Sequence, residues 1–176
     1  MHTQLISRVL VFLALCFAVG CSPIPRKYLK EADPSVTLTT IKRNASYYQG
    51  KLVLLGGVIM EEKAQDGRLW LHVENRPLDQ DFRPQLPPST SDPESGWYWV
   101  VVGNHAKFPA NRRDWADITL VGRVAGMGPG KEPILRMVYV RGWGLKSQHD
   151  GAWEEIMDAN YILDIPPGAA GEMGRP

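Results

Sequence analysis

Histidine and carboxylate are the side chains in this sequence with metal-binding chemistry, and two of them sit at a usable spacing. His72 and Glu74 lie two apart in RLWLHVEN (68–75), so on a strand they share one face and could supply two ligands. His105, His149 and Asp150 are the remaining donors, and none stands at the short fixed spacing of a zinc site. We therefore expect no metal and no cofactor. For nucleophilic chemistry, both cysteines, Cys16 and Cys21, fall in the first 21 residues, and no serine stands in a Gly-x-Ser-x-Gly turn. The acid pairs Asp79/Asp81 and Asp114/Asp117 read as solvated loop carboxylates without a defined cleft between them. The expectation is no catalytic residue.

Aromatic and basic residues are the better candidates. All six tryptophans lie beyond residue 20, and Trp97 and Trp99 share a strand face. One reading places most of them in the core or at its ends. The other has Trp70, Trp97, Trp99 and Trp143 lining a groove for a peptide, a glycan or a lipid headgroup. Phe82 and Arg83 lie in NRPLDQDFRPQLPPSTSDPESG (75–96), a Pro-rich loop long enough to be either functional or mobile, and a good place for a partner surface. Arg112 and Arg113 extend the same candidate surface. Basic and aromatic residues together raise the idea of nucleic acid. With 20 Lys+Arg against 19 Asp+Glu, a formal net charge of +1 gives it no support.

The elements that must position these residues are strands. KLVLLGGVIM (51–60) is almost wholly aliphatic, and its central Gly56-Gly57 would weaken a helix by about 2 kcal/mol but marks a bulge or sharp coil in a strand. A turn over 62–67 ends in Asp66-Gly67, and the chain returns over 68–74 with Leu69, Leu71 and Val73 on one side and Trp70, His72 and Glu74 on the other. WYWVVV (97–102), ITLVGRVAG (118–126) and a segment centred on 135–141 give the third to fifth strands, the last two joined by a glycine-rich turn. Residues 22–49 contain several prolines and no sustained period, so they read as extended or irregular. GAWEEIM (151–157) reads as a short closing helix, and 161–176 as a loose Gly/Pro-rich tail.

Composition agrees. The 17 Gly and 14 Pro make close to 18% of 176 residues, against roughly 12% in ordinary soluble chains, which excludes a long helical bundle. Five glycine-curled strands point to an all-β fold, a small OB-like, partly open barrel of five to six strands, closed to protect its edges. The barrel domain is expected over 36–160, after a tether at 21–35.

Residues 1–20 carry one basic side chain, Arg8, then the apolar run VLVFLALCFAV (9–19), too short to span a bilayer but right for an export leader. The junction Phe17-Ala18-Val19-Gly20-Cys21 resembles the lipobox of bacterial lipoprotein precursors. That resemblance implies cleavage after Gly20 and acylation of Cys21, with lipid of the outer membrane as the first partner and Ser22 directing release from the inner membrane. Loss of Arg8 with the leader leaves 19 basic and 19 acidic side chains, a neutral chain.

The same residues resemble the Slp family of starvation-inducible outer-membrane lipoproteins. The match rests on the Cys21 lipobox, Gly50 with the block at 51–59, Arg76-Pro77-Leu78-Asp79 after a strand, Gly96 with the aromatic strand, and 118–126. The resemblance implies a periplasm-facing protein of a Gram-negative envelope, induced by stress or stationary phase, with no accepted catalytic residues to carry over. Ala106-Lys107-Phe108-Pro109 and Arg112-Arg113 depart from the family's apolar segment between the third and fourth strands. The function expected is structural or binding, with an envelope protein or glycan as partner and no nucleic acid. An envelope hydrolase or metal-dependent enzyme is the alternative.

Overall fold

A computed structural model describes residues 22–103 and 117–143, together with the backbone of 153–156. The aliphatic runs form strands β1 (Leu52–Gln65), β2 (Arg68–Asn75), β3 (Trp97–Val102), β4 (Asp117–Met127), β5 (Pro133–Trp143) and β6 (Trp153–Ile156). Asp66 and Gly67, at φ 51° and 70°, make the two-residue turn between β1 and β2. Gln65 already pairs with Arg68, so β1 runs on through residues 61–65 where a longer turn was expected.

β1 is the strand that bends the sheet. Its first half pairs with β4 and its second with β2, and Gly57 pairs with both Ile118 and Asn75. A side chain at Gly56 would stand 2.5 Å from the Arg76 carbonyl and from Leu78, and one at Gly57 would run into Val73 and the Glu74 carbonyl. The glycine pair thus serves close approach of neighbouring chain. The bulge expected there lies instead between Ile59 and Glu61.

Antiparallel pairs β1–β2, β2–β3, β1–β4 and β4–β5 are joined into a ring by a parallel seam between β3 and β5. This five-strand ring has the partner order of an OB-like barrel. The seam is short: Trp99 with Ile134, Val100 with Leu135, Val101 with Arg136. Side-chain parity on β2 is as expected, with Leu69, Leu71 and Val73 packed inside against Tyr98, Val100, Val102, Leu120 and Leu135. Each such aliphatic side chain contributes roughly 1.5–3 kcal/mol by leaving water.

Two segments differ from expectation. At the N-terminus the chain is helical: α1 (Arg26–Glu31), α2 (Leu38–Arg43) and α3 (Ala45–Tyr48). Proline is compatible with the start of a helix, and α1 begins directly after Pro25. Ile24, Tyr28 and Ala32, four apart, are all buried against Leu52, Val121 and Tyr139. Thr37 and Thr40 form a reciprocal capping box for α2, which sends Leu38 and Ile41 into the barrel core. Near the C-terminus, the helix expected over 151–157 is replaced by β6. The β3 seam leaves β5 unpaired beyond Arg136 on that side, and β6 takes up Tyr139–Gly142. Four residues gain more from that edge than from a lone helical turn.

The long loop after β2 is tied down. The Glu94 carboxylate accepts the N–H groups of Leu38 (3.0 Å) and Thr39 (3.2 Å), and its carbonyl accepts Asn75 Nδ2 at 2.8 Å. The Thr39 hydroxyl donates to the Pro93 carbonyl at 2.7 Å. Among the described residues no helix is long and apolar enough to cross a membrane.

Candidate functional site

Cross-strand register brings the tryptophans of β2 and β3, with His72, onto the outside of the barrel. Trp97 stands opposite Glu74, Trp99 opposite His72, and Val101 opposite Trp70. The His72 imidazole fills the space between the two indoles, with centroids 4.8 Å from Trp97 and 4.3 Å from Trp99 and interplanar angles of 29° and 12°. Its Nε2 lies 3.0 Å from Glu132 Oε2, and its Nδ1 is 4.0 Å from Glu61. Trp70 meets Trp99 edge to face at 6.5 Å.

These indoles are not equally available. Trp70 is 2% and Trp99 9% exposed, forming with Val101 and Ile134 a small apolar cluster outside the main core. Trp97 is half-buried. Glu61 is exposed beside it, and Glu74 is held by Arg76 at 3.2 Å. His72 and Glu74 share a face, as expected, but they turn to different partners. Among the described residues no three metal-ligating groups converge.

Phe82, Arg83 and Trp143 meet at a second place. The loop after β2 folds back over 78–84, where Asp79 Oδ1 accepts the N–H groups of Asp81 and Arg83, each at 2.8 Å. That is a turn-holding role for an acid read from sequence as a loop carboxylate. The Thr119 hydroxyl donates to the Phe82 carbonyl at 2.5 Å and accepts Trp143 Nε1 at 2.9 Å. Arg83 and Arg141 lie over the Trp143 ring, at 4.6 and 4.7 Å. Arg141 also donates to the Pro23 carbonyl at 3.1 Å. Beside this cluster a cavity of about 290 Å³ is lined by Leu54, Leu55, Leu78, Phe82, Thr37 and others.

The sequence-derived residues therefore fall into two groups: Trp70, Trp97 and Trp99 on the β2–β3 wall, and Phe82, Arg83 and Trp143 at the folded-back loop. Gly20, Cys21, Arg112 and Arg113 lie outside the described residues. Sequence reasoning missed His72 as a stacking residue and Arg141 as the contact to Pro23. The even spacing of Trp97 and Trp99 opposite a histidine-bearing strand was the available signal for the first. Nothing local signals the second, since its partners are 118 residues apart.

No curated protein and no solved structure matches this chain. A family model, that of the outer membrane lipoprotein Slp family, matches residues 18–157, from just before Cys21 through all six strands. With that span covered, the chain belongs to the Slp family of outer membrane lipoproteins.

Proposed function

We propose that this lipoprotein is held by an acyl-bearing Cys21 with its barrel in the periplasm, and that it is a binding module for another envelope protein, with no catalytic step of its own. The observation that carries the reading is Trp97, only half-buried on the outer wall of a barrel whose interior is already filled. An indole there adds nothing to the main core, and aromatic edges rimmed by charge are characteristic of partner surfaces. A protein surface fits better than a sugar ring, because His72 occupies the slot between Trp97 and Trp99 where a ring would stack. The same stacking, with Glu132 on Nε2, engages the histidine that a hydrolytic reading would need as a base.

The test is photocrosslinking in intact envelopes from a residue placed at 97 or at 61, with the exposed Tyr47 position as control. A protein adduct from 97 and 61, absent from 47, is expected. Absence of any adduct from 97 and 61 sinks the reading. Cys21→Ala should release the protein from the outer-membrane fraction.

A further inference from the structure

The segment that follows the anchor is fastened to the barrel. Ser22 Oγ accepts the Ile24 N–H at 3.3 Å, Ile24 is fully buried, and Tyr28 packs its ring 5.1 Å from that of Tyr139. At the far end of α1, Glu31 pairs with Arg123 at 2.6 Å. Only Ser22 separates Cys21 from Pro23, two residue steps that span at most about 7 Å. The Arg141 guanidinium reaches the Pro23 carbonyl at 3.1 Å. It therefore lies within about 10 Å of the residue proposed above to carry lipid, close to one Debye length at physiological salt.

What surrounds that point is basic and aromatic. Arg26 and Lys27 are exposed on the first turn of α1, and Arg83 is exposed over the Trp143 ring. Arg141 lies over the same half-buried ring, and the Trp143 N–H is given to Thr119. The acids nearby are largely engaged. Asp79 holds backbone N–H groups, the exposed Glu31 pairs with Arg123, and Asp117 with Arg76; Asp81 and Asp33 are exposed too, and Glu154 stands opposite Arg141 in the β5–β6 register.

We infer that this face (the start of α1 with Arg83, Arg141 and Trp143) is laid against the membrane and takes phospholipid phosphates of the leaflet that holds the anchor. The inference rests on the acylation of Cys21 proposed above. Arg141 fixes the position of the face, and Arg26, Lys27 and Arg83 supply the charge. An indole is at home at headgroup depth, and basic side chains near anionic lipid each strengthen attachment. The domain is therefore held in one orientation, not on a long leash.

The acylated full-length mature protein, its Cys21 mass checked, is placed in phosphatidylglycerol-containing vesicles with headgroup-labelled quencher lipid, and indole quenching is read. Trp143→Phe should remove at least half of the quenching, and Trp97→Phe should leave it unchanged. The exposed triple variant Arg26→Ala/Lys27→Ala/Arg83→Ala, which touches no core residue, should lower quenching too. After enzymatic removal of the acyl chains, vesicle affinity should fall about fivefold for each cation removed. Quenching unchanged in Trp143→Phe and in the triple variant, on a protein of acylated mass, overturns the membrane face and leaves the anchor standing. A mature protein of unacylated mass overturns both.

Discussion

Tyr98 sets a phenol hydroxyl inside an apolar barrel, where it donates to the Gly56 carbonyl at 3.2 Å. Full burial holds its pKa far above the ordinary phenol value of 10.0. The unfolded chain ionises near pH 10 while the folded chain keeps the proton, so unfolding releases a proton above that pH. Stability from this residue is intact below pH 10 and is lost as pH rises beyond it. The denaturation midpoint of the native protein should fall steeply above pH 10, and Tyr98→Phe should flatten that fall. At neutral pH the variant should be less stable by about 1 kcal/mol, for the lost hydrogen bond. Equilibrium urea unfolding across the alkaline range reads both effects.

Among the elements, α2 is the one that another segment completes. Its first N–H groups have no partner within the helix, and Glu94, brought back from the end of the Pro-rich loop, accepts two of them. Glu94→Ala should cost roughly 1–2 kcal/mol and should free the loop, so that chymotrypsin cuts at Phe82 sooner than in the native protein. Limited proteolysis with a urea titration checks it. The strands were readable in sequence because alternation decides a face: once 68–75 is a strand, Leu69, Leu71 and Val73 must point one way and Trp70, His72 and Glu74 the other. α1 was not readable in that way. The prolines around it, at 23, 25 and 34, mask a helix whose burial depends on Val121 and Tyr139, and six residues are too few to declare a period. β6 was misjudged for a related reason, since its strand state is decided by the open edge of β5.

For the whole molecule, closure was inferred from glycine-bent strands and the need to hide edges, and the ring that forms has that form. The candidate surfaces were less legible. His72 meets Glu132 across 60 residues of sequence, and Thr119 joins Phe82 to Trp143 from a third segment. Such clusters are properties of the closed ring and leave no spacing to read along the chain. The proposed partner wall, β2–β3 with Trp97, and the proposed membrane face, the α1 side with Trp143, are separate outer surfaces of the ring. A variant at either should leave the other's readout alone. Trp97→Ala should abolish crosslinking from position 61 while membrane attachment persists in fractionation.

The burial of Ile24 and Tyr28 against Tyr139 sets an order of events in time. β5 is the last strand of the ring, and both the parallel seam and the seat of α1 depend on it. Contacts so distant along the chain form late. Until residues 133–143 are in place, Ile24 and Tyr28 lack the Tyr139 side of their seat; afterwards both are buried. A chain ending before Pro133 should be cut by trypsin at Arg26, Lys27 and Lys30 within the time the full chain resists, a comparison readable on one gel. For the acylation proposed at Cys21, the final barrel strand would then act as the clock, since the seat of α1 forms only with it.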